Sequence, residues 1–457
     1  MLRTTLRTLP ARSTRLYVDR SFSVAGTGTV VTGTLREGNL SIGQELYHHP
    51  SGAKTKVRSL ESFYAQLETA PPGIRLAVGL QALDRGQIQR GDLLYTPQNL
   101  ESASCVTIRL SVEPKVARYL KNNRDVILLH GTSEAEGKLM LPPEPIALDD
   151  GSLVAVLKLS TPVVCKIGDR FILRLPTPSL LIGGGFVVDF GNGEIDRRDK
   201  KMWALARQAS TLKVEDLIAV QLREKSLIRD GELLFQSLIP ETETSAAITR
   251  MLAEKTVLKR DDFLILKSVW DEAQAAILSQ VKNFHDSNQH LASMSLAELT
   301  SRLALPSQLV DFALSSLVAL GKLQRHESGV KLAEYSAGLS SELESIKQRI
   351  FELLSEKSGG VASRDEINAL DKEAKKVYAY LKQNALIVDV SGSVYKKEYY
   401  EALVAVIVAA LRERGKITVA EVRDITGTSR KVVLPVLEEL DRKRITRREG
   451  DYRYLCE

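Results

Sequence analysis

Thr418-Val-Ala-Glu-Val-Arg-Asp-Ile-Thr-Gly-Thr-Ser-Arg-Lys-Val-Val-Leu-Pro-Val-Leu-Glu-Glu-Leu-Asp441 runs on to Ile445-Thr-Arg-Arg448 and the turn Gly450-Asp451. Its first four residues form a Ser/Thr-x-x-Glu box. The Thr418 hydroxyl can accept the N–H of Glu421, while the Glu421 carboxylate reaches back to the Thr418 N–H. The apolar spacing then predicts a short helix, a small turn at Gly427-Thr428, and a second helix from Arg430 to Lys443. Gly450-Asp451 predicts a hairpin over Ile445–Leu455. Upstream lies a helix over Tyr399–Arg414, closed by Gly415, a residue suited to a helix C-terminus. Helix, helix-turn-helix and β hairpin together make the winged-helix plan.

The same plan recurs towards the N-terminus. Boxes stand at Ser295-Leu-Ala-Glu298 and Ser363-Arg-Asp-Glu366, followed by second helices over Pro306–Leu320 and Lys372–Asn384. Hairpins over Leu323–Leu332 and Leu386–Tyr395 turn at Ser328-Gly329 and Ser391-Gly392-Ser393. A weaker fourth copy spans Trp203–Leu266, without a box because Val214 stands three residues after Thr211, and with a wing over Val257–Ile265. Internal repetition of this kind marks a tandem array.

Before the array the texture is β. Short segments rich in β-branched residues (Arg15–Val18, Thr29–Leu35, Val106–Val112, Val126–His130, Leu153–Leu159, Phe171–Leu175) are punctuated by Gly, Pro, Asp and Asn. Such spacing predicts barrels or sandwiches, not a βαβ sheet. Thr96-Pro97 and the following Gln98–Ser104 read as a connection between two β domains, and the change to helical texture is expected around Gly183-Gly184-Gly185. The expected fold class is multidomain β plus α/β, with two β barrels before four tandem winged helices. The expected boundaries are a basic segment 1–14, barrels 15–97 and 98–190, and winged helices 191–266, 267–337, 338–397 and 398–457.

Composition excludes several classes. The 457 residues carry 63 Lys and Arg against 57 Asp and Glu, a net charge of +6, with 44% hydrophobic residues, so the chain has the makings of folded cores. The longest apolar run, Ala402–Leu411, is half of what a membrane span requires. Cys105, Cys165 and Cys456 form no CxxC pair and no disulfide framework, which fits a cytosolic protein. The first twenty residues hold Arg3, Arg7, Arg12, Arg15 and Arg20 against Asp19 alone, and read as a basic linker without an amphipathic stripe.

No motif supports catalysis. Gly26-Thr-Gly-Thr-Val-Val-Thr-Gly33 lacks the third glycine of a dinucleotide fingerprint and alternates as a strand. No G-x-x-x-x-G-K-[S/T] loop occurs, so no phosphate cradle is expected. His48 and His49 are adjacent, point to opposite faces of a strand, and read as a surface pair; no metal site is expected. The chain is read as a non-enzyme without a cofactor of its own.

The last unit carries the functional signal. In a helix-turn-helix the start of the second helix meets nucleic acid, and the wing adds phosphate contacts. Here that start reads Gly427-Thr428-Ser429-Arg430-Lys431, and the wing brings Arg447, Arg448 and the turn at Gly450. Free N–H groups, a hydroxyl and cations at one helix end suit a phosphate. The stretch Arg442–Arg448 packs five cations into seven positions. The other three units lack such a combination and read as spacers.

Two further stretches bring in a family. Leu16–Leu35 and Ile88-Gln-Arg-Gly-Asp-Leu-Leu94 resemble the second domain of translational GTPases, and with the four winged units the chain resembles the bacterial selenocysteine-specific elongation factors. That resemblance implies two elongation-factor-Tu-like barrels and a last winged helix that binds the mRNA hairpin known as the selenocysteine insertion element. The residues it implies there are Thr428, Ser429, Arg430, Lys431, Arg447, Arg448 and Gly450. It also implies a selenocysteine pocket built from Asp19, Arg20 and Arg75, where two guanidinium groups would favour an anionic selenol over a serine hydroxyl. Implied partners are selenocysteinyl-tRNA, the hairpin, the ribosome and a separate GTPase domain, with a monomer at work in the cytoplasm. GTP and Mg belong to the family's GTPase domain, for which residues before Arg15 leave no room, so a truncated gene, a frame-shifted fragment or half of a split factor is expected. A DNA-binding winged-helix regulator is the alternative.

Overall fold

A computed structural model describes residues 13–24, 28–96, 100–326, 329–335, 338–339, 341–355 and 360–456. Most of the basic segment 1–14, part of the connection at 97–99, the first glycine of the Gly26–Gly33 motif and Ser328 lie outside the described residues. The chain divides into two compact units at Val269/Trp270.

The first unit begins with nine strands: β1 Thr14–Val24, β2 Gly28–Glu37, β3 Leu40–Ser41, β4 Glu45–His49, β5 Lys54–Ser62, β6 Ala65–Leu67, β7 Thr69–Ala70, β8 Arg75–Gln81 and β9 Leu93–Thr96. The order β4-β9-β1-β2-β8-β5-β6, with a further β4–β5 pairing, curls the sheet back on itself. Alternation fills its interior with Leu16, Val18, Val31, Leu35, Leu46, Val57, Val78 and Leu94, all essentially inaccessible. Thr14 already belongs to β1 and Ser13 is buried, so the end of the segment read as a basic linker is part of the barrel.

A second barrel follows, closed in the order β10-β13-β12-β11-β14-β15 over β10 Ala103–Val112, β11 Arg124–His130, β12 Ser133–Met140, β13 Leu153–Val163, β14 Arg170–Arg174 and β15 Leu181–Gly191. The three glycines 183–185 do not end the β structure; they sit within β15. A Cβ on Gly185 would lie 1.8 Å from the Arg109 carbonyl oxygen, so glycine is what lets β15 close against β10. The texture changes only after Gly191.

Charge and shape join the barrels. Arg15 of the first donates Nη1 and Nη2 to Asp169 of the second at 2.6 and 2.7 Å, and also pairs with Glu37. Lys166 Nζ reaches Glu37 at 2.6 Å and Ser13 Oγ at 2.5 Å, and His130 Nε2 lies 3.0 Å from Asp169. Every one of these side chains is buried. Desolvation alone would push the Asp169 carboxyl up, but the attraction and hydrogen bonds of Arg15, with His130, hold it well below the usual carboxylate range. Tyr17 packs edge-on against His130, and a Cβ on Gly131 would fall 2.4 Å from the Tyr17 ring.

Helices α1 Lys200–Ala209, α2 Val214–Lys225 and α3 Glu241–Ala253, with a sheet of Ile228–Arg229, Phe263–Leu266 and Val257–Arg260, complete the first unit. Trp203 and Ala206 of α1 pack on Val154 and Val156 of β13, and Gln236 bonds the carbonyls of Glu101 and Cys165. This array member is seated on the second barrel.

The second unit repeats the pattern three times, each with its own three-stranded sheet. Its helices are α4 Lys267–Ser287, which begins before the division, α5 Leu296–Arg302 and α6 Ser307–Ala319, then α7 Ser341–Leu353, α8 Arg364–Asn368 and α9 Ala374–Gln383, then α10 Lys397–Arg414, α11 Val419–Thr426 and α12 Arg430–Arg442. The wings are Leu323–His326 with Gly329–Leu332, Ile387–Val390 with Ser393–Lys396, and Thr446–Glu449 with Tyr452–Leu455. Two boxes are complete: Ser363 with Glu366 and Thr418 with Glu421 bond in both directions. At the third, Ser295 Oγ accepts the Glu298 N–H at 3.2 Å, but the Glu298 carboxylate turns to Arg302 one turn on, at 2.6 Å. Accordingly Ser363→Ala and Thr418→Ala should each cost about 1 kcal/mol and Ser295→Ala less, as read by urea unfolding of the three variants.

No helix among the described residues is long and apolar enough to cross a membrane, and none of their His, Cys, Asp and Glu groups is placed to hold a metal ion. His48 is not on the surface: it is 1% exposed, and its Nε2 lies 2.9 Å from Asp92, tying β4 to the turn before β9. His49 reaches the Pro162 carbonyl of the second barrel at 3.1 Å.

Candidate nucleic-acid interface

The last unit gathers its charge in a groove. Gly427 ends α11 in the left-handed conformation at φ +63°, so the chain reverses within two residues and α12 starts at Arg430. The Gly427 and Thr428 N–H groups both turn back to Arg423, and the Thr428 hydroxyl meets that of Thr426 at 2.9 Å. Ser429 is the N-cap of α12, yet its side chain makes no capping bond; the Val432 N–H turns to the Ser429 carbonyl at 3.0 Å, and Arg430 and Lys431 open the helix. On the wing, Gly450 at φ +62° makes the turn and accepts the Arg448 Nε–H at 2.9 Å.

Between helix start and wing lies a groove of 520 Å³, lined by Arg423, Arg430, Arg448 and Arg453, with Glu438 and Asp451 at its edge. Arg430 and Arg448 are exposed and no ion pair holds them among the described residues. Arg453 is 1% exposed; its Nε bonds Asp441 at 2.9 Å and its Nη2 has no partner. Four guanidinium groups from α11, α12 and the wing share this groove with two carboxylates, a set that favours an anion.

The residues expected at this site do not all meet there. Arg447 and Arg448 are neighbours in a strand and point to opposite faces. Arg448 stands opposite Arg453 in the groove, while Arg447 stands opposite Tyr454, lies over its ring at 5.6 Å and reaches Glu449 at 3.4 Å. Lys431 turns away as well, to Glu366 of the preceding unit at 3.6 Å. Thr428, Ser429, Arg430, Arg448 and Gly450 remain around the groove. Arg423 and Arg453 were not anticipated. Hairpin register counted outward from Gly450-Asp451 pairs residue 453 with residue 448, and that count was the available signal.

In the first barrel, β1 and β2 slip register between Val18 and Arg20, a bulge centred on Asp19. β2 lies between β1 and β8, and its Gly33 has no room for a side chain: a Cβ would sit 2.1 Å from the Tyr17 carbonyl oxygen. Asp19 Oδ2 meets Arg75 Nη1 at 2.5 Å. Arg20 is exposed and bonds neither of them. The structure thus brings Asp19 and Arg75 together and leaves Arg20 open on the same strand.

Three family models match. The one for elongation factor Tu domain 2 covers residues 28–95, the one for the β-barrel domain of selenocysteine-specific elongation factor covers 107–192, and the one for the winged helix of elongation factor SelB covers 409–455. The selenocysteine-specific elongation factor of Haemophilus influenzae is 28% identical over 449 residues, covering 96% of this chain and 70% of that protein. The chain is thus similar to selenocysteine-specific elongation factors along nearly its whole length. The Desulfomicrobium baculatum factor is 27% identical over 457 residues, covering 96% of this chain and 71% of its own. A crystal structure of a bacterial selenocysteine-specific elongation factor matches in fold at a TM-score of 0.58 and 18% identity, over 97% of this chain and 69% of that one. The winged-helix match falls on the unit that holds the arginine groove, and the domain 2 match spans Arg75.

Proposed function

We propose that the chain recruits RNA in selenocysteine incorporation: its last unit holds the selenocysteine insertion hairpin of an mRNA, and its barrels help bring selenocysteinyl-tRNA to the ribosome in the cytoplasm. The groove of Arg423, Arg430, Arg448 and Arg453 carries this reading. Phosphates entering it would release counterions, so affinity should fall steeply with salt. An A-form major groove is too narrow for side chains, so sequence would be read on loop or bulged bases held beside the α12 start. In the barrel, Asp19 fixes one guanidinium at Arg75 and Arg20 stays free, a pair suited to a selenolate and offering little to a neutral hydroxyl. The work assigned to these residues is recruitment, not catalysis.

Binding of the full chain to an insertion-element hairpin, titrated across salt with duplex DNA as competitor, tests this. We expect log K to fall linearly with log salt and the DNA to compete poorly. Equal or tighter binding of the duplex would sink the RNA reading in favour of a DNA-binding regulator.

A further inference from the structure

We propose that Ser51, in the turn between β4 and β5, is an activated nucleophile and a modification site. It takes an acyl group from activated acyl donors, the class of thioesters, acyl phosphates and aryl esters. His48 is its base, and Asp92 holds that base and balances its charge.

A serine hydroxyl is a weak nucleophile until a base takes its proton. Ser51 Oγ lies 2.7 Å from His48 Nδ1, and His48 Nε2 lies 2.9 Å from Asp92 Oδ2. His48 and Asp92 are buried, whereas Ser51 is exposed. The Asp92 carboxylate can only accept, so the neutral ring carries its proton on Nε2 and leaves Nδ1 to accept from the Ser51 hydroxyl. The Gln89 N–H donates to the same Asp92 oxygen at 2.8 Å and keeps the carboxylate in place. The turn does not need these side chains to close. The Gly52 N–H bonds the His48 carbonyl at 2.7 Å, and the His48 N–H bonds the Ala53 carbonyl at 2.8 Å. Nor does β4 need Asp92 to reach β9, with which it pairs from Tyr47 to His49. Hydroxyl, buried imidazole and buried carboxylate in line make the relay of acyl transfer, which is recognised by geometry and not by order in the chain. The approach is open, since a Cβ on the neighbouring Gly52 would meet nothing within 4 Å.

The backbone limits which donors can react. The Gly52 and Ala53 N–H groups are both engaged, the second with Ser51 Oγ itself at 3.1 Å, so neither is free to hold an oxyanion. A donor must therefore bring a good leaving group. Ser51 Oγ bonds the acyl carbon as its proton passes to His48 Nδ1. The bond from the acyl carbon to the leaving group then breaks, and the electron pair departs with that group. The imidazolium, balanced by Asp92, returns its proton to the departing group or to water. The product is an O-acyl serine.

The test treats the full chain with p-nitrophenyl acetate at neutral pH, follows release of p-nitrophenolate and maps the acetyl group by peptide mass spectrometry. We expect a burst of a single equivalent, with the acetyl group on Ser51. Ser51→Ala should slow that phase about 100-fold. Asp92→Asn can keep an oxygen for His48 and Gln89 and loses only the charge, so it should slow the phase about tenfold. In a Ser51→Ala background the same change should have no further effect, a non-additivity that a purely structural aspartate would not show. Ser51 lies in an exposed turn, so Ser51→Ala, checked by urea unfolding, decides the matter even where Asp92→Asn does not fold. Acetyl groups on lysines alone, or a burst undiminished by Ser51→Ala, overturn the proposal. A folded Asp92→Asn variant that reacts at the wild-type rate removes the relay and overturns it as well.

Discussion

Asp169→Ala should lower the stability of the barrel unit by about 3–5 kcal/mol, measured by urea unfolding at neutral pH. The aspartate accepts two bonds from Arg15, sits 3.0 Å from His130 and takes the Lys166 N–H at 2.8 Å. Its removal strands a buried guanidinium with Glu37 alone, and Glu37 is already shared with Lys166. Burial has drawn the Lys166 ammonium below its ordinary pKa despite that pairing, which shows how costly the charges are here. Replacing Arg15 and Asp169 together by Met and Leu should cost much less, since the charges that remain, Glu37 and Lys166, still pair with each other. The sign with pH follows from the depressed Asp169 value. Stability from this group is fully present above the unfolded carboxyl range near pH 4 and is lost as pH falls below it. Asp169→Asn should flatten that acid limb. An unchanged limb would mean that the carboxylate is not the group holding the cluster.

Arg430→Ala combined with Arg448→Ala should weaken hairpin binding by about 1.5–3 kcal/mol. The pair should also reduce the slope of log K against log salt by roughly 1.4–1.8, the share of two phosphates. Both side chains line the groove, and neither is ion-paired among the described residues. Arg447→Ala should leave affinity within about 0.5 kcal/mol of wild type, because its guanidinium lies over Tyr454 on the other face of the wing. Fluorescence anisotropy over a salt series distinguishes the two sets. Equal losses from Arg447 and Arg448 would mean that the RNA lies across the wing tip and not in the groove.

The helical array was legible because its signals are local. A box, a glycine stop and a hairpin turn each lie within a few residues, and Thr418–Glu421 and Ser363–Glu366 close as their spacing requires. Ser295–Glu298 closes in one direction only, since Arg302 competes for the same carboxylate from one turn away. The β segments and two barrels were expected, but the contacts that lock the barrels together were not. The contact that locks the barrels joins residues 154 apart, and nothing local in Arg15 or Asp169 announces it. Glycines 183–185 resemble a break because the carbonyls that forbid a side chain there belong to distant strands. His48 shows the same limit: alternation says that two neighbours part ways, not which of them goes inside. In the last unit the run of cations does not share one face. Strand periodicity divides Arg447 from Arg448, and the fold recruits Arg423 and Arg453 in place of the former.

The hydroxyl of Tyr395, in the wing before α10, donates to the Val432 carbonyl of α12 at 2.9 Å, and Val361, Val390 and Tyr395 share one apolar core with Leu403, Ile407, Val433 and Leu437. A protein engineer cutting the chain at residue 398 to isolate the last unit would therefore cut through that core. A fragment that keeps this core whole extends back past Val361, and a lesion in the penultimate wing would be felt in the fold of the last unit.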